Sequence, residues 1–75
     1  MSSNVKHPET IQYFSGGMSL VVIAGSVTVH IPITPDNKEI AKNLIDSINL
    51  FNTSTPEDKP MMYAMVKDFL LDIQQ

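Results

Sequence analysis

The chain contains no cysteine and no arginine, and between Thr10 and Pro35 it contains no charged residue at all. Each absence removes a class of reading. Without cysteine there is no disulfide to staple a small fold, and no thiolate to hold a metal. Without arginine the chain lacks the planar fork that grips phosphates and guanine edges in pairs. Eight acids against five lysines give a net charge of −3, opposite in sign to the footprint of a DNA or RNA binder. Nucleic acid is therefore not an expected partner. Long apolar runs are also missing. The longest, Met18 to Ala24, is interrupted by Ser19 and falls far short of the ~20 residues that cross a bilayer. Met1 is followed by SSNVKHPET, which has no basic segment leading into an apolar one. The expected location is the cytoplasm, without membrane contact. Asn52-Thr53-Ser54 has the form of a glycosylation acceptor and carries no weight without a secretory leader.

What is present is a composition of 43% hydrophobic and 17% charged residues over 75 positions, that of one folded domain, residues 1–75. A chain this short buries only about 60% of the surface its unfolded form exposes. Charge is scarcer than the usual ~25%, although a small protein has proportionally more surface to cover. Both facts point to surface covered by a second chain.

The sequence divides into a polar arm (1–9), a β half (10–33) and a two-helix half (35–75), with no internal repeat. Ile11 to Phe14 reads as a short strand ended by the turn Ser15-Gly16-Gly17. Met18 to Ala24, the Gly25-Ser26 break and Val27 to Ile33 follow, rich in β-branched residues. The last run alternates, with Val27, Val29, Ile31 and Ile33 on one side and Ser26, Thr28, His30 and Pro32 on the other. The middle run is apolar on both sides, which suits a central strand. Pro32 cannot donate to a ladder, so the third strand lies at an edge or ends there. A single long strand over 18–33, bent at Gly25, is the competing arrangement.

Thr34-Pro35-Asp36 supplies a capping hydroxyl, a proline for the first helical position and a first-turn acid. Ile40, Ala41, Leu44, Ile45, Ile48 and Phe51 then form an apolar stripe. After the NTSTPED break, Asp58 is the expected cap of a second helix, whose apolar face holds Met61, Met62, Met65, Val66, Phe69, Leu70 and Ile73. Tyr63 falls off that stripe and is expected to be exposed. The predicted fold is a two-layer α+β domain of order βββαα, an antiparallel three-stranded meander followed by an αα-hairpin packed on one sheet face.

A helix pair covers one face of so small a sheet. The candidate interface is the remaining uncharged face, drawn from Tyr13, Phe14, Leu20, Val21, Val22 and Ile23, and a second copy is its expected cover. The alternative cover is the N-terminal arm. Candidate ligand contacts are Ser15, Gly16 and Gly17, whose backbone amides can face an anion, together with His30 and Tyr63.

No catalytic set emerges. His30 has no carboxylate nearby in sequence, His7 has only Glu9, and two isolated histidines make no metal signature. Asp68 and Asp72 share a helix face without the six or more oxygens a hard cation needs. No metal and no cofactor are expected. The chain therefore reads as a non-enzymatic, homo-oligomeric protein that binds another protein and modulates or inhibits it. Small accessory and inhibitor proteins, many carried by phages, share this size and composition. A protein that binds or sequesters a small molecule, such as a nucleotide signal, in pockets between subunits is the alternative.

Overall fold

The computed structural model describes residues 8–74. The arm expected over residues 1–9 falls, up to His7, outside the described residues. The elements are β1 (Ile11–Gly16), β2 (Ser19–Ala24), β3 (Val27–Pro32), α1 (Lys38–Thr53) and α2 (Lys59–Ile73). The strands make one antiparallel sheet in the order β1-β2-β3, so the doubly apolar strand is central, as its sequence requires. The single bent strand is excluded, because Gly25-Ser26 reverses the chain.

Both hairpins turn over two residues with glycine first. Gly17 and Gly25 have φ of 63° and 65°, while Met18 and Ser26 do not have positive φ. That combination defines type II′ turns, whose twist matches the flanking strands. Ser15 and Gly16, expected in the turn, instead extend β1.

Register sorts the side chains into two faces. Ile11, Ala24 and Val27 form one row across the sheet; Tyr13, Val22 and Val29 the next; Ser15, Leu20 and Ile31 the third. These rows face the helices. Ile11, Leu20, Val22 and Ile31 are buried there against Leu44, Ile48 and Phe51 of α1 and Val66 and Ile73 of α2. Each such side chain contributes about 1.5–3 kcal/mol of burial.

Each helix is preceded by the same five-residue device, Thr34-Pro35-Asp36-Asn37-Lys38 and Thr55-Pro56-Glu57-Asp58-Lys59. In the first, the Asn37 N–H donates to the Thr34 carbonyl (3.2 Å) and hydroxyl (3.3 Å), and the Thr34 N–H donates to Asn37 Oδ1 (2.7 Å). In the second, the Asp58 N–H donates to the Thr55 carbonyl (3.0 Å) and hydroxyl (3.3 Å), and the hydroxyl donates to Asp58 Oδ2 (3.2 Å). α2 begins after Asp58 with proline in its first turn. α1 begins later than Pro35, because the Asn37 amide first closes a separate turn on Thr34.

The α2 stripe is rotated from its expected position. Val66 and Ile73 are buried, Met62, Tyr63, Phe69 and Leu70 pack against the core, and Met61 is 64% exposed. Tyr63 stands one turn before Val66 and shares its side, whereas Met61 lies roughly 140° away. The Tyr63 ring meets Phe51 at 5.7 Å between centroids, so its expected exposure is corrected.

α1 lies against β1, and α2 packs chiefly on α1. The helix pair is thus displaced from β3. Val27, on the helix-facing side of the sheet, remains 59% exposed.

At the β1 edge, the Asn52 side chain of α1 pairs with Ile11 like a neighbouring strand. The Ile11 N–H donates to Asn52 Oδ1 (2.8 Å), and Asn52 Nδ2 donates to the Ile11 carbonyl (2.9 Å).

Candidate interaction surface

The sheet face away from the helices is built from the other register rows. Gln12, Ile23 and Thr28 form one, Phe14, Val21 and His30 the next, and Gly16, Ser19 and Pro32 the last. None of these nine residues carries a formal charge at pH 7. Val21 stands at the centre, with Phe14 beside it and Ile23 two residues along β2. Phe14 is 62% exposed, while Val21 and Ile23 are half-buried by their neighbours. Among the described residues no helix lies on this face.

Of the six interface candidates, the structure puts three here: Phe14, Val21 and Ile23. Leu20 and Val22 point the other way and are fully buried in the core. Tyr13 also points inward, half-buried, with its hydroxyl 3.5 Å from Asn49 Oδ1. The cause is register. Ile11 and Ile31 set which side of the sheet is most apolar, and that side takes the helices.

The ligand candidates separate into three clefts. Ser15, Gly16 and Gly17 line one of about 650 Å³ with Ile33, Ile45, Lys38 and Lys42. His30 borders a second of about 540 Å³ that also receives Asp36, Asn37 and Asp72. Tyr63 lines a third of about 230 Å³, with Val27, Val29 and Leu71. No cleft collects the five. Among the described residues no group of three or more His, Asp or Glu side chains is placed to hold a metal ion. Asp68 and Asp72 are exposed on α2.

Three features escaped the sequence reading. Asn52 and Asn37 act as edge seals, and the exposed Val27 and Leu71 share one apolar cleft. The TPDNK and TPEDK recurrence was visible as a signal for Asn37. Nothing local marked Asn52.

No helix among the described residues is long and apolar enough to cross a membrane. The chain matches no protein-family model, no curated protein and no solved structure.

Proposed function

We propose that this chain is a non-catalytic interaction module, which associates with itself and docks another protein on the outer sheet face in order to modulate or inhibit it. One observation carries the docking: Phe14 stands exposed beside Val21 and Ile23 on a face without charge. Burying apolar area there gains about 25 cal/mol per Å², and aromatic side chains, phenylalanine among them, are enriched at the cores of protein interfaces. The same face has no lysine to offer a phosphate, so the partner it fits is an apolar protein patch.

The test is affinity capture with the full chain and four variants. Phe14→Ala, Val21→Asp and Ile23→Asp are expected to weaken capture at least about tenfold, in the range of interface hot spots. Leu50→Asp, at an exposed position on α1, is the control and should leave capture unchanged. Circular dichroism checks that each variant retains its helices. Capture that is indifferent to all three face variants would refute the docking reading.

The cleft at Ser15–Gly17 favours a second reading, small-molecule binding, because an apolar floor there is flanked by polar groups of both signs, Lys38 and Lys42 with Asp36 and Glu39. Native mass spectrometry tests it, since a retained ligand adds mass beyond whole chains.

A further inference from the structure

The sheet has two outer strands, and they differ in how their edges are closed. Ile33 donates its N–H to the carbonyl of Met18 at 2.8 Å, and these residues stand opposite one another by continuation of the β2–β3 register. Bonded and non-bonded pairs alternate along an antiparallel ladder. Ile31, Val29 and Val27 therefore turn their backbone groups toward β2, and Pro32, His30 and Thr28 turn theirs outward. Pro32 has no N–H, and its carbonyl accepts a hydrogen bond from Asn37 Nδ2 at 2.9 Å. The outward N–H and C=O groups of Thr28 and His30 have no partner among the described residues. At β1 the outward groups belong to Ile11, Tyr13 and Ser15. Those of Ile11 are taken by Asn52. Those of Tyr13 and Ser15 have no partner among the described residues, and α1 lies against this strand.

Open strand edges are templates for pairing, and proteins that remain single blunt them with lysine, proline or a bulge. β3 carries no charged residue, and its proline stands at one end only. Beneath the open segment lies the apolar cleft of Val27, Val29, Leu70 and Leu71, whose only charged lining residue is Lys67. Lys67 Nζ sits 5.7 Å from the centroid of the Tyr63 ring.

We infer that β3 pairs with β3 of a second copy about a two-fold axis through Val29, joining two three-stranded sheets into one of six. This rests on the self-association in the reading above and assigns it to an edge separate from the Phe14 face. The occupant follows from the hydrogen-bonding groups. A two-fold axis at Val29 sets Thr28 against the partner's His30, and His30 against the partner's Thr28. All four open groups on each strand are then satisfied, in four hydrogen bonds. Moving the axis to His30 would set Thr28 against proline, which cannot donate. Moving it to Thr28 would leave His30 against the Gly25-Ser26 turn. The strand complements itself in one register, as an isologous contact requires, and no like charges meet within it. On the helix side, exposed Val27 would face the partner's Ile31.

The absence of cysteine makes the register directly testable in the full chain. Val29→Cys places two thiols across the axis in a non-hydrogen-bonded pair, where Cα atoms are about 4.5 Å apart, within the span of a disulfide. With oxidised glutathione as the electron acceptor, Val29→Cys chains are expected to cross-link, and Thr28→Cys chains are not. In sedimentation velocity the wild-type chain should be a dimer. Thr28→Pro removes two of the four bonds and no bond within the chain, so dimer dissociation should be at least about tenfold easier. If that proline melts the fold, Val27→Lys replaces it, being exposed in the single chain and covered in the pair. Ser15→Lys, on β1, should leave the dimer intact.

A monomer at every concentration reached would overturn the inference. So would a dimer that cross-links through Thr28→Cys, or one that resists both Thr28→Pro and Val27→Lys. These last outcomes remove the β3 assignment alone. Docking on the outer face is read separately, by the effect of Phe14→Ala on capture.

Discussion

Phe51→Ala is expected to remove about 3–5 kcal/mol of folding free energy, the usual cost of emptying a buried aromatic site. A domain of this length holds roughly 4–11 kcal/mol in total, so one substitution consumes a large share. Phe51 is fully buried in the last turn of α1, where sheet, α1 and α2 meet. Its ring packs on Tyr63, and Lys59 Nζ lies 4.6 Å above the ring centroid. The same lysine donates to the Phe51 carbonyl at 2.8 Å, beside the Ser54 hydroxyl at 2.7 Å. The residue thus ends one helix while holding the start of the next. Urea unfolding followed by circular dichroism measures the loss. Phe14→Ala provides the contrast, because its ring is exposed, and should change stability by less than about 0.5 kcal/mol. Equal losses at the two positions would contradict the assignment of inner and outer faces.

Asn52→Leu is expected to cost about 2–4 kcal/mol, from two half-buried backbone groups left without partners. The substitution keeps the approximate volume and removes both hydrogen bonds to Ile11. Asn52→Asp is the informative companion. A carboxylate can still accept from the Ile11 N–H, but it sets an acceptor against the Ile11 carbonyl, so it should restore little. Amide exchange at Ile11 gives the local reading: protection there should fall in both variants while the Val22 amide stays protected. Retained protection at Ile11 would show that the Asn52 side chain does not close this edge.

The sequence carried most of the β half because its signals are local. β-Branched runs, strict alternation from Val27 to Ile33 and the Gly25-Ser26 break specify two strands and a reversal without reference to distant residues. Alternation also shows that β2 has two apolar faces, but it does not say which one the helices choose. That choice depends on Ile11 and Ile31 lining up with Leu20 and Val22, a property of the register across three strands. Tyr63 departs from the sequence expectation for a related reason, since an apolar stripe that starts at Met61 is wide enough to be centred in more than one way. Val27 fits its strand pattern well and is still exposed, because the pattern assigns a side of the sheet and not the reach of the helices. The Asn52 clamp joins residues 41 positions apart, and an asparagine in the last turn of a helix, at the head of the polar NTSTPED stretch, gives no local sign of such a role.

That clamp has a kinetic consequence. The two hairpins and the helix pair each join neighbours in the chain, so their closure costs little loop entropy and proceeds quickly. Bringing the first strand to the end of α1 is the long-range step, and the amide pairing at Ile11 lies at its periphery, where native contacts form last. Loss of the Asn52 amide should therefore act as a missing latch. In a chevron experiment, Asn52→Leu speeds unfolding by nearly its full energetic cost and leaves the refolding rate almost unchanged. A slowed refolding limb would instead place the latch inside the folding nucleus. If the latch closes last, the whole of its energy lies on the unfolding barrier, so one side-chain amide lengthens the lifetime of the folded state without helping the chain to reach it.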